Sequence, residues 1–177
     1  MDLDKKLALT ALSRLDQKLM EADFQEITLA VGGGGSMILA YGYPGGTQDI
    51  AAAPLNAEFE SLKPFMSEVA LELQLAPDWL NPHYGAFTLY LPEDSKSRMT
   101  EIFSGKKLTV KSLAAEDLLI MKLMAGRAKD IGHIHHLLAK KINLKIVEKR
   151  LEQLKQLFPK LAHDALDLFD EMSGDKN

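Results

Sequence analysis

Apolar residues recur at Ala8, Leu12, Leu15 and Leu19 with Lys, Arg and Gln on the intervening positions, a stripe that predicts an amphipathic cover helix over 3–20. The short apolar run from Glu26 to Val31 feeds directly into Gly32, Gly33, Gly34 and Gly35 and predicts a buried strand. Ser36 to Tyr43 reads as a helix. Tyr43, Pro44, Gly45 and Gly46 read as a turn, because proline presets φ and glycine admits positive φ. Gln48 to Ala53 follows as a second strand. Leu55 to Leu75 has helical periodicity with an interruption at Lys63, which precedes Pro64. PDWLNP, residues 77–82, is a loop carrying the only tryptophan. Phe87, Leu89 and Leu91 alternate with Thr88 and Tyr90 and predict a strand over 85–91. Two further extended runs, 98–103 and 107–110, are split by Ser104 and Gly105. From Leu113 onward the pattern is helical, with breaks near Gly132, Asn143 and Pro159.

This order predicts an α+β fold: a small mixed β-sheet flanked by helices, then a C-terminal helical part. The 177 residues form a single domain, with an α/β core over 1–112 and the helical part over 113–177. A chain of this length buries roughly 70% of its unfolded surface and needs no staple to fold. Cysteine is absent, which excludes disulfide frameworks, zinc-thiolate sites and thiol nucleophiles and points to a reducing, cytoplasmic setting. The opening MDLDKKLALTALSRLD carries acids where a signal peptide would be basic, and no apolar run approaches the roughly 18 residues of a membrane span, so no membrane partner is expected. A net charge of -4 argues against a general DNA-duplex binder. Charge is uneven, however. Lys140 to Lys160 holds seven Lys or Arg against two Glu, either a solvated helix face or a contact for RNA or a phosphate-bearing partner. His163 to Asn177 holds five acids and reads as a frayed tail.

The candidate chemistry centres on the succession strand, glycine tract, helix, turn, strand, with Asp49 opening the last strand. Successive backbone N–H groups in a glycine turn at a helix start form an anion-binding concavity. An aspartate on the next strand can hold Mg²⁺ against the phosphates of a nucleotide. Lys122 interrupts the apolar run LLIMKLM; either its stem snorkels or its ammonium reaches an anionic partner. Arg127 and Asp130, at i, i+3, can pair on a helix face. His133 and His136 share a face and could ligate a transition metal. Trp79 and Tyr84 read as packing residues, with base stacking as the alternative.

VGGGGSMILAYGYPGGTQDIA resembles the first motif of the nucleotidyltransferase superfamily, in which a glycine pair opens a helix and an Asp-x-Asp pair follows on the next strand. It looks most like the AbiEii-type branch and its bacterial relatives, where Thr or Ser, one residue, then Asp-Ile-Asp follow the helix. Here that reads Thr47, Gln48, Asp49, Ile50, Ala51. EDLLIMKLMAGRAKDIGHIHHLL resembles the same branch's later helix, with Lys122, Arg127 and the Lys129–Asp130 pair; with the PDWLNP and LPEDSKSR stretches, the likeness spans about residues 5–140. The resemblance implies nucleotidyl transfer from a nucleoside triphosphate to an RNA or protein acceptor, and an antitoxin partner. Gly33, Gly34, Ser36 and Arg127 would bind nucleotide, Asp49 would bind Mg²⁺, and Asp49, Lys122 and Asp130 would be catalytic. Alternate residues of a strand share a face, so two acids there can clamp two ions about 4 Å apart. Ala51 has no ligand atom. Magnesium binding should therefore weaken, and three accounts stay open: another acid substitutes, the site is degenerate and only binds a nucleotide or a protein, or the residue was altered to silence a toxic activity. Glu93 and Asp94, at a strand end, and Glu116 or Asp117, at a helix start, are the substitute acids; the last two also suit a helix's first turn. Arg127 and His133 also resemble the Arg-x(4-6)-His motif of the helical HEPN ribonucleases, in which the histidine acts as general acid or base.

Overall fold

The computed structural model describes residues 2–174, without the side chains of Ala86 and Phe87. The expected frayed tail is instead helical over 163–174, with Ala165, Leu166, Phe169 and Met172 buried, and only its last three positions lie outside the described residues, as does the Phe87 side chain of the expected 85–91 strand. The chain forms two compact units, Met1–Ala86 with Arg98–Leu113, and Phe87–Ser97 with Ala114–Asn177.

The first unit is built on a five-stranded mixed sheet of β1 (Ile27–Val31), β2 (Ile50–Pro54), β3 (Leu80–Asn81), β4 (Thr100–Ser104) and β5 (Leu108–Ser112), in the order β3-β2-β1-β5-β4. The central β1 pairs antiparallel with β2 and parallel with β5, so Val31 stands in register with both Ala52 and Ser112. The sheet is flanked by α1 (Lys5–Glu21), α2 (Gly33–Leu39) and α3 (Lys63–Leu73). The stripe of α1 is fully buried at Ala8, Leu12, Leu15 and Leu19, and it joins Leu29, Val31, Ile50, Val69, Trp79 and Val110 in one core. Trp79 packs there as expected, its indole donating to the Met66 carbonyl at 3.1 Å. The proline at 64 does not interrupt a helix. It sits in the first turn of α3, where its missing N–H has no helical acceptor to lose, and the residues before it form a 3₁₀ turn, Phe59–Leu62.

The second unit is helical: α4 (Ala115–Ala125), α5 (Ile131–Leu138), α6 (Leu144–Leu154) and α7 (Pro159–Gly174). α4 packs against the other three, which is why Leu118 to Met124 are buried on every side. The break expected at Gly132 lies instead at Gly126, whose φ of +57° caps α4 in the left-handed conformation, while Gly132 sits inside α5. Asn143 does begin a helix, its side chain accepting from the Lys145 N–H at 3.2 Å.

The strand expected over 85–91 is a 3₁₀ segment, Pro82–Tyr90, followed by a second, Glu93–Arg98. The apolar alternation does not mark a buried face, since Leu89 is 68% exposed. The carbonyls of Tyr90 and Leu91 accept from Arg150 Nε and Nη2, both at 2.8 Å, and the Tyr90 ring packs edge-on against Phe158. Residues 87–97 consequently group with the helices rather than with the α/β core. The same bonds take Arg150 out of the solvated basic face, whereas Lys140, Lys141, Lys145 and Lys149 are exposed. Among the described residues no helix is long and apolar enough to cross a membrane.

Candidate functional site

In the first unit, α2 begins within the glycine tract, three residues ahead of the expected start at Ser36, and ends at Leu39. Gly32 is the N-cap and Gly33 takes φ +59°, which a side chain would oppose. The helix stops short of Tyr43 because Gly42 turns left-handed at φ +65° and the Tyr43 N–H returns to the Met37 carbonyl. Neighbouring side chains occupy most of the space that the glycines leave. The buried Tyr84 ring lies 2.9 Å from where a Cβ on Gly32 would stand, and Thr47 fills the space beside Gly34. Gly33 alone of these is uncrowded, its nearest neighbour, the Ala51 Cβ, standing at ordinary contact distance, 3.9 Å from where a Cβ on Gly33 would be. Gly34→Ala should accordingly destabilise the chain by about 1–3 kcal/mol through overpacking, because the new methyl would fall onto Thr47 Oγ1 and within 3.0 Å of Thr47 Cβ. Denaturant titration of the variant beside wild type checks this.

Ser36 lies beneath the turn. Its hydroxyl is fully buried, donates to the Val31 carbonyl at 2.7 Å and accepts from Ser112 Oγ at 2.9 Å, which ties α2 to β1 and β5. Asp49 immediately precedes β2 and is half-buried; its side chain has no hydrogen-bond or ion-pair partner among the described residues. Strand alternation turns Ile50 and Ala52 into the core, which leaves Asp49 and Ala51 on the other face, the face of Gly33. Asn81 is in register with Ala51, but its amide already donates to Asp78 and accepts from the His83 N–H.

In the second unit the geometry brings Lys122, Arg127, Asp130 and His133 together. Gly126 ends α4, Arg127 is extended, and the 3₁₀ turn Ala128–Asp130 swings the carboxylate back onto the helix it follows. Lys122 Nζ donates to Asp130 Oδ1 at 2.7 Å and Arg127 Nε donates to Oδ2 at 2.7 Å; the Lys122 and Asp130 side chains are each only 3% exposed. Lys122 therefore does not snorkel. Burial holds its pKa below the ordinary lysine value, with the bond to Asp130 opposing that shift. Burial also acts to raise the Asp130 pKa, but hydrogen bonds from His133, Lys122 and Arg127 and the charge of Lys122 overcome it and leave the carboxyl well below its usual range. His133 Nδ1 lies 2.9 Å from Lys122 Nζ and 3.2 Å from Asp130 Oδ1. One ring nitrogen cannot serve both partners at once: protonated, Nδ1 donates to Asp130 Oδ1, and unprotonated, it accepts from Lys122 Nζ. The involvement of His133 was readable only as the i, i+3 spacing from Asp130.

Of the acids considered as substitutes for the missing one, Glu116 accepts from the Asn143 N–H at 2.8 Å and Asp117 is fully buried. Glu93 and Asp94 open a 3₁₀ turn rather than ending a strand. All four belong to the second unit. Among the described residues no group of three or more His, Asp or Glu is placed to hold a metal. The donors at Asp49 fit a single Mg²⁺ carried in by phosphates, which ordinarily takes one or two carboxylates plus waters. Ala51, two residues on, offers no ligand atom for a second ion.

Comparison with curated proteins and with solved structures returns no match. Residues 10–168 match the family described as "Nucleotidyltransferase of unknown function (DUF6036)", and the chain belongs to that family.

Proposed function

We propose that the chain binds a nucleoside triphosphate with one Mg²⁺ at Gly33, Gly34 and Asp49, and that it acts as a nucleotide-binding member of its family whose transfer chemistry is weakened at Ala51. The observation that carries this reading is the uncrowded backbone of Gly33, with Ala51 at contact distance and the unpartnered Asp49 carboxylate two residues before Ala51. When bound, the ion would offset the charge between that carboxylate and the phosphates. Gly33 and Gly34 supply backbone that no Cβ screens, and Ser36 shapes the turn from below through Val31 and Ser112.

A second reading, nucleotidyl transfer to an RNA or protein acceptor in a cytoplasmic toxin–antitoxin pair of the AbiEii type, is favoured by the family's description and by the Lys122–Asp130 pair with Arg127 beside it. The test is calorimetric titration of ATP, GTP, CTP and UTP with Mg²⁺, alongside incubation of the chain with α-labelled nucleotides, total RNA and protein. Binding without label transfer supports the first reading. Mg²⁺-dependent label on RNA or protein establishes the second, and no binding of any nucleotide removes both.

A further inference from the structure

The residues ahead of α1 do more than enter the helix. Leu3 is 1% exposed and pairs with Thr47 in an isolated antiparallel bridge: the Leu3 N–H donates to the Thr47 carbonyl at 2.7 Å, and the Thr47 N–H donates to the Leu3 carbonyl at 2.9 Å. Asp4, next along, caps α1 by accepting from the Leu7 N–H at 2.7 Å, so the bridge is fastened to the cover helix and through it to the core. Gly46 approaches so closely that a Cβ there would stand 2.9 Å from Asp2 Cβ and 3.1 Å from the Leu3 carbonyl oxygen.

Thr47 passes this constraint on in two directions. Its hydroxyl donates to the Asp49 carbonyl at 2.9 Å, fixing the backbone that bears the carboxylate, and its side chain fills the space beside Gly34. From these contacts we infer that Asp2–Asp4 is a strap that positions Asp49 relative to the glycine turn, with Thr47 as the positioning residue that transmits it. The inference rests on the nucleotide reading of that turn.

The test uses the full chain and separates the two ideas. Gly46→Ala, an exposed position, crowds Asp2 and Leu3 without touching Gly33, Gly34 or Asp49. Hydrogen exchange should show the Thr47 amide losing protection while the amides of Leu29 and Val31 in β1 keep theirs. Calorimetric titration with ATP, GTP, CTP and UTP in Mg²⁺ should show the Kd of whichever nucleotide binds wild type rising about tenfold. Thr47→Val, which removes the hydroxyl and keeps the shape, should weaken binding comparably, and Thr47→Ser should retain it. A freed Thr47 amide with unchanged affinity overturns the strap and leaves the nucleotide site standing. So does a Thr47→Ser variant as weak as Thr47→Val. If wild type binds none of the four nucleotides, the site itself falls and the strap's role with it.

Discussion

Asp130→Ala is expected to cost about 3–5 kcal/mol of folding free energy, because it leaves the Lys122 ammonium buried with no counter-charge. In a chain of this size that is a fall in Tm of roughly 10 °C. The carboxylate is what reconciles Lys122 with its place in an otherwise apolar run, and Arg127 and His133 gather on the same two oxygens. Lys122→Met should cost much less than Asp130→Ala, since it removes the buried cation and leaves Asp130 its bond to the half-exposed Arg127. The pH dependence has a definite sign. A carboxyl whose folded pKa is depressed contributes stability that is whole above its unfolded value, about 4, and is lost as pH falls below that. Below about pH 4 the deficit of Asp130→Ala relative to wild type should therefore shrink, because there wild type loses this contribution and the variant has none to lose. Denaturant titrations of both proteins across that range check it; a deficit that grows in acid would contradict the assignment.

Ala51→Asp should have the largest effect on function. The strand places residue 51 on the face of Asp49, with its Cβ 3.9 Å from where a Cβ on Gly33 would be, so the new carboxylate would stand beside the glycine turn. Two carboxylates on one strand face can hold a pair of divalent ions. The expected result is tighter Mg²⁺ binding and label transfer to RNA or protein, on the order of a hundredfold or more above wild type, since one electrostatic contribution to a transition state is worth about 10²–10³. The substitution removes no buried apolar contact, as Ala51 is only half-buried, so folding should survive it. Unchanged Mg²⁺ affinity and no transfer would mean that position 51 does not face the phosphates.

The fold was legible where one residue pattern meets one partner. The α1 stripe has a single buried face, and β1 runs into glycines that no longer strand could contain. Where the deciding contact came from far along the chain, local pattern misled. The 3₁₀ segment Pro82–Tyr90 looks like a strand until Arg150, 60 residues on from Tyr90, takes its carbonyl. The left-handed turn at Gly126 ends α4, and only the structure shows that Asp130 then returns to Lys122, a pairing that spacing alone left open against snorkelling. The site divides in the same way. Asp49, Ala51 and the glycine turn could be placed on adjacent elements from motif order, and the Arg127–Asp130 pair from its i, i+3 spacing. The bridge from Leu3 to Thr47 and the internal bonds of Ser36 could not, because backbone pairing at such separation and a hydroxyl's choice of acceptor leave no trace in composition or period.

The central claim, that a lone carboxylate beside the turn meets a nucleotide through one divalent ion, is tested most directly by measuring nucleotide affinity with Mg²⁺ and with EDTA for wild type and Asp49→Asn. Bare phosphates and the Asp49 carboxylate repel, so wild type should bind in Mg²⁺ and lose at least about tenfold in EDTA, while Asp49→Asn should bind nearly alike in both. Equal Mg²⁺ dependence in the two proteins, or no binding by either, would contradict the claim.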